Sequence, residues 1–162
     1  MSALTVGQPA PDFCLVSGDG QTVTLAQFRG QWVVLYFYPR DHTPGCTKEA
    51  CGFRDRYPAL QQAQAVVIGI STDPPESHAK FSRKYNLPFL LLSDPDGQVA
   101  RAYGSYGSKK FMGRTYEGVL RHTFLIDPQG QIAHIYRQVK PETHAQQVLQ
   151  DLARLQHPET GN

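Results

Sequence analysis

Seven consecutive apolar residues, Trp32 to Tyr38, run straight into Pro39-Arg40-Asp41-His42-Thr43-Pro44-Gly45-Cys46, and this junction constrains the fold more than any other stretch. An unalternating run of that length, rich in β-branched and aromatic side chains, predicts a strand buried on both faces. Thr43-Pro44-Gly45 is turn chemistry that ends such a strand. From Cys46 the apolar positions Cys46, Ala50, Phe53, Tyr57 and Leu60 then recur at spacings of four and three, the stripe of a helix facing a core. A buried strand therefore delivers a cysteine to the first turn of a helix. Unpaired amides and the positive end of the macrodipole meet there and suit an anion. The thiolate is the nucleophilic form of cysteine.

The rest of the chain alternates in the same way. Pro11 to Ser17 and Thr22 to Leu25 flank Gly18-Asp19-Gly20 and predict an N-terminal hairpin. Pro58 is expected to kink or end the helix that starts at Cys46. Ala65 to Ile70 predicts the next buried strand, so strand, helix and strand imply a right-handed parallel crossover. Asp73-Pro74-Pro75 marks a helix start, with Phe81 and Tyr85 on one face. Leu90 to Leu92 predicts a strand and Gly97 to Tyr103 a short helix. Thr123 to Ile126 and Ile132 to Tyr136 predict a hairpin across Asp127-Pro128-Gln129-Gly130. A last helix near Pro141 to Leu155 carries Ala145, Val148, Leu149, Leu152 and Leu155 as its buried stripe. The expected architecture is α/β, a mixed central sheet flanked by helices.

A chain of 162 residues suits one domain with one well-filled core, with a loose tail expected at 157–162. Sixteen Lys and Arg against fourteen Asp and Glu, scattered, argue against a nucleic-acid surface. No apolar run approaches the roughly 18 residues needed to span a bilayer, and the N-terminus lacks the pattern of a secretory signal. A soluble, cytoplasmic protein without a membrane partner is the expectation. Three cysteines do not suit a structural disulfide framework. The histidines show no metal-ligand spacing, and no cofactor or metal is expected.

Pro39-x-x-x-Thr43-x-x-Cys46 resembles the active-site signature of peroxiredoxins. The longer TPGCTKEACGFRD (Thr43 to Asp55) is similar to the subgroup called bacterioferritin comigratory protein or peroxiredoxin Q. GQPAPDF (Gly7 to Phe13), LLLSDPDGQVARAYG (Leu90 to Gly104) and GVLRHTFLIDPQGQI (Gly118 to Ile132) extend the resemblance over about residues 3–156. It implies a thioredoxin-like fold and a thiol peroxidase acting on hydrogen peroxide and organic hydroperoxides. Cys46 is then the peroxidatic nucleophile, attacking a peroxide oxygen and becoming a sulfenic acid. Thr43, three residues upstream, is placed to hydrogen-bond the thiolate and a peroxide oxygen, or to serve as the helix N-cap. Pro39 ends the strand without an N–H and is expected to shield the sulfur. The amides of Gly45 and Cys46 are candidate donors to the departing oxygen. Arg121, rather than Arg40, Arg54 or Arg114, is the arginine the resemblance brings to the sulfur, where a guanidinium stabilises the thiolate and orients the peroxide.

Cys51 is the resolving cysteine under the same resemblance, closing an intramolecular disulfide that thioredoxin or a similar dithiol reduces. A resolving thiol on the same chain needs no second subunit, and a monomer is expected. Five residues along an ideal helix separate two Cα atoms by roughly 8.7 Å, whereas a disulfide tolerates at most about 7 Å. The helix must therefore unwind locally in each cycle, and Gly52 and Pro58 suit that. Cys14 is expected to be a half-buried structural thiol and His42 part of a solvated loop. Two other classes compete. A thioredoxin-type disulfide oxidoreductase normally uses C-x-x-C, but here four residues separate the cysteines. A zinc module built on His42, Cys46 and Cys51 lacks a fourth donor.

Overall fold

The computed structural model describes residues 4–157 of the protein. The expected tail lies, beyond His157, outside the described residues. The chain opens with the hairpin β1 (Cys14–Ser17) and β2 (Thr22–Thr24), passes a short 3-10 turn at Ala26–Phe28, and enters β3 (Trp32–Phe37). Helices α1 (Pro44–Asp55) and α2 (Tyr57–Gln62) follow, then β4 (Ala65–Ser71), α3 (Pro75–Tyr85), β5 (Leu90–Ser93) and α4 (Gln98–Ala102). Next come β6 (Tyr106–Phe111), β7 (Arg114–Val119), β8 (Thr123–Ile126), β9 (Ile132–Tyr136) and α5 (His144–Gln156).

Seven strands form one mixed sheet in the order β2-β1-β5-β4-β3-β8-β9. β3, β4 and β5 are parallel neighbours and the other pairings are antiparallel, which is the expected mixture. β3 is central, and its period-two geometry divides the core. Val34, Tyr36 and Tyr38 face the layer that holds α1, α2, α3 and α5, while Val33, Leu35 and Phe37 face the layer that holds α4 and the N-terminal hairpin. Burial on both faces is why this strand reads as an unbroken apolar run.

Most element boundaries fall within a few residues of the sequence reading, and the differences have local causes. The helix that starts before Cys46 breaks at Arg56, two residues ahead of Pro58, which sits in the first turn of α2. α5 starts at His144 instead of Pro141, because Thr143 donates its backbone N–H to the Lys140 carbonyl at 3.1 Å in a turn and takes the N-cap position. The β6–β7 hairpin, paired from Tyr106–Val119 to Phe111–Arg114, has no counterpart in the sequence reading. Its two-residue turn is Met112-Gly113, with φ of 52° and 80°. Asn or Asp is the usual signal at the first of these places, and methionine hid it. Among the described residues no helix is long and apolar enough to cross a membrane.

Candidate active site

The end of β3 and the start of α1 meet at one buried sulfur. Thr43 occupies the N-cap position in extended conformation (φ −79°, ψ 154°), Pro44 opens the helix, and Cys46 is its third residue, 1% exposed. The Thr43 side chain makes no capping bond. Its hydroxyl instead donates to the Arg40 carbonyl at 2.9 Å, so Thr43 caps by position and not by side chain, and in place of the expected bond to the thiolate the oxygen's lone pairs are left to accept. Pro39 is half-buried beyond the end of β3.

Arg121 reaches this place because β8 runs antiparallel to β3 with Tyr36 opposite Thr123, so the residues just before β8 lie beside the exit of β3. Nη2 donates to Cys46 Sγ at 3.4 Å and Nη1 to Glu49 Oε1 at 2.7 Å. Gly45 makes the approach possible: a Cβ there would sit 3.1 Å from Arg121 Nη2. Burial opposes the charge on Arg121, yet Cys46 and Glu49 outweigh it and hold the guanidinium above its ordinary value. Of the other arginines considered, Arg40 and Arg114 are exposed, and Arg54 is engaged with Asp55 and the Tyr85 carbonyl.

Glu49 was not foreseen. It is 1% exposed, and burial pushes its carboxyl up to about 7 despite the pull of Arg121 in the other direction. Its Oε2 has no hydrogen-bond partner among the described residues, which suits a carboxyl near the edge of ionisation. The signal was present: an acid three residues after Cys46 lies on the same helical face and inside a stripe that is otherwise apolar. Lys109 is a second unforeseen cation. It donates from Nζ to the Val119 carbonyl at 3.0 Å, and burial, followed by repulsion from Arg121, lowers its pKa.

Cys51 is partly exposed on α1, and the helix is continuous through both cysteines, whose thiols are free. Cys14 is exposed on β1, not half-buried as expected, because its side of the hairpin faces solvent. His42 lies exposed in the loop, with its ring edge-on to Phe81 at 5.0 Å.

Where α5 packs on α1, His144 is fully buried, bonded through Nε2 to Thr123 Oγ1 at 2.8 Å and enclosed by Phe53 and Tyr136. Burial, then Arg121, lowers its pKa to about 4. A neutral histidine held this way stabilises the fold fully above the unfolded value near 6.5, and that stability is lost as pH falls from there towards 4. At pH 4.5 the loss is about 2 to 3 kcal/mol. Glu49 carries the opposite linkage, since its raised pKa costs stability as pH rises through 4.5 to 7. The wild-type curve alone therefore conceals both. Urea unfolding at pH 7 and pH 4.5 is expected to give a change more favourable to acid in His144→Gln than in wild type by about 2 kcal/mol. An equal change in the two proteins would count against this account.

The sequence profile of the AhpC/TSA family matches residues 6–135, most of the chain. The chain belongs to the AhpC/TSA family. Within it, the chain is similar to peroxiredoxins named Bcp or PrxQ. Peroxiredoxin Bcp of Escherichia coli is 48% identical over 149 residues, covering 92% of this chain and 96% of that protein. Peroxiredoxin Bcp of Bacillus subtilis is 46% identical over 149 residues, covering 92% and 95%. Among solved structures, a variant of Xylella fastidiosa PrxQ superposes with a TM-score of 0.88 at 34% identity, covering 94% of this chain and 98% of that one. The bacterioferritin comigratory protein of Xanthomonas campestris, whose structures concern its alkyl peroxide reduction activity, gives 0.82 at 38%, covering 87% and 90%. The family expected from the motifs and the thioredoxin-like fold are both as observed. Thiol-dependent peroxide reduction is the activity that goes with this membership.

Proposed function

We propose that the protein reduces hydrogen peroxide and organic hydroperoxides at Cys46 and closes the cycle through a Cys46–Cys51 disulfide. The observation that carries this reading is the Arg121 guanidinium seated on Cys46 Sγ in the first turn of α1. The thiolate attacks the nearer peroxide oxygen, the O–O bond breaks, and water or an alcohol leaves after taking up a proton. Arg121 and the amides of Gly45 and Cys46 face the negative charge that develops on the departing oxygen. Thr43 accepts a hydrogen bond from the peroxide O–H, because its own proton is engaged by Arg40. Pro39 keeps water from the sulfur. The sulfenic acid is then attacked by Cys51, water leaves, and thioredoxin or a similar dithiol reduces the disulfide. Alkyl peroxide reduction by the Xanthomonas campestris relative supports organic hydroperoxides as substrates. Both cysteines belong to one helix, so a monomer suffices.

Disulfide closure demands that α1 open between the two cysteines, and Gly52 bears on the rate. A Cβ at this position would lie 3.5 Å from Ala145 Cβ, an ordinary contact, so alanine fits there. Gly52→Ala strengthens the helix by about 1 kcal/mol without a clash. It should slow disulfide formation about fivefold while leaving the oxidation of Cys46 unchanged, as rapid-mixing kinetics will read. Peptide mapping of the peroxide-treated protein tests the cycle itself. A Cys46–Cys51 linkage that a dithiol reverses is the expected result. Peroxide-treated protein with no such linkage, or with Cys14 as the partner, overturns the assignment of Cys51.

A further inference from the structure

Behind the loop that carries Thr43 lies a second buried polar cluster that takes no part in the steps above. Asp41 is 3% exposed. Its Oδ1 accepts from the Tyr38 hydroxyl at 2.5 Å, while its Oδ2 accepts from Ser77 Oγ at 2.8 Å and faces His78 Nδ1 at 2.7 Å. The Asp41 backbone N–H donates to Asp73 Oδ2 at 2.8 Å, and Asp73 is itself held by the Ser71 hydroxyl at 2.6 Å. His78, fully buried, turns Nε2 to the Leu92 carbonyl at 3.0 Å. Both ring nitrogens thus face oxygen acceptors.

This cluster has one geometrical effect. Between Tyr38 and Cys46, Asp41 is the one fully buried residue, drawn inward between the exposed Arg40 and the exposed His42. His42 has φ of 68°, a left-handed conformation that a residue other than glycine keeps when its surroundings impose it. Thr43 follows directly, and then α1. From α1 the Thr47 backbone N–H holds the Thr43 carbonyl at 2.9 Å, and Asp41 supplies the ties to the rest of the fold. The side chain and the amide of Asp41 tie the loop to α3, to β5 through His78, and to Asp73 in the turn after β4.

We propose that Asp41 is a positioning residue for peroxide reduction. Clamped by Tyr38, Ser77 and His78, it fixes the Pro39–Gly45 loop so that Thr43 and the first amides of α1 are aligned on the peroxide before the helix unwinds. The inference rests on the function proposed above and concerns the same site. It separates the two chemical steps, because the loop serves the oxidation of Cys46 and the unwinding serves its resolution.

Rapid mixing with hydrogen peroxide, then acid quench, alkylation and mass spectrometry, measures the two steps separately. Asp41→Ala is expected to lower the second-order rate of Cys46 oxidation about 10²-fold, the penalty of an ångström-scale misplacement, while disulfide formation changes less than about threefold. Asp41→Asn should restore oxidation to within about threefold of wild type. Its amide oxygen can still accept from Tyr38, and its N–H can donate to Nδ1 of a neutral His78. If Asp41→Ala does not fold, Ser77→Ala removes one contact and should slow oxidation alone. The proposal is overturned if Asp41→Ala oxidises at the wild-type rate, if both steps fall together, or if Asp41→Asn is as slow as Asp41→Ala. A wild-type protein inert to peroxide overturns both readings, as the clamp then has no reaction to serve. A reacting wild type with an unaffected Asp41→Ala overturns the clamp alone.

Discussion

Cys46→Ser should abolish peroxide consumption, by at least about 10⁴-fold, in a protein that still folds. The chemistry requires an ionised nucleophile, and a serine hydroxyl stays protonated where a cysteine thiol can be held as its anion. The substitution exchanges one sulfur for one oxygen at a position 1% exposed, so packing around α1 changes little. Arg121 keeps its 2.7 Å bond to Glu49 and does not become an unpaired buried charge. The fold should therefore survive and the activity should not. Cys51→Ser supplies the contrast, because it leaves the first encounter with peroxide intact and blocks the resolution step. It should consume about one equivalent of peroxide and stop, with a sulfenic acid at Cys46, when the only reductant supplied is one that acts on disulfides. Peroxide consumption by the two variants, under single-turnover and steady-state conditions, checks both expectations. Residual steady-state turnover in Cys46→Ser would place the reaction at another residue.

The parts of the fold and site that are legible in the sequence are those that leave a local signal. The strand, turn and helix around Cys46 were readable because burial on both faces, turn chemistry and the helical stripe are all patterns in one dimension. The mixed character of the sheet was readable because a parallel crossover and a glycine-bearing hairpin turn are also local. The partners that tune the site come from far along the chain. Arg121 is 75 residues from Cys46 and reaches it through the β3–β8 register. Spacing alone cannot select it over Arg40 or Arg54, and only the family motif pointed to it. His78 reaches Asp41 across 37 residues, and neither side chain carries a pattern that announces the contact. The exposure of Cys14 was misjudged for the opposite reason. Strand alternation says that one face is buried without saying which, and the Cys14 side of the hairpin faces solvent.

Arg121→Met should lower the second-order rate of Cys46 oxidation about 10³-fold, at the upper end of what removing one preorganised donor to a developing charge costs. Two losses combine. The sulfur loses the cation that favours its thiolate, and the departing oxygen loses a donor that needs no reorganisation. A third consequence falls on Glu49. Its carboxyl is already pushed up to about 7 by burial, with Arg121 as the opposing influence. Without the guanidinium, burial is unopposed, the pKa rises further, and Glu49 is neutral at pH 7. Protonation spares the variant much of the roughly 3–5 kcal/mol that an uncompensated buried charge would cost, so its stability at neutral pH should fall modestly and decline further as pH rises. Arg121→Lys keeps the charge but cannot bond Cys46 and Glu49 through two parallel N–H groups, as Nη1 and Nη2 do. It should recover no more than about tenfold of the lost rate. Stopped-flow oxidation of the three proteins between pH 5 and 9, with urea unfolding over the same range, reads each effect. A fully active lysine variant would mean that charge alone suffices, and the forked geometry at this sulfur would then have no catalytic part.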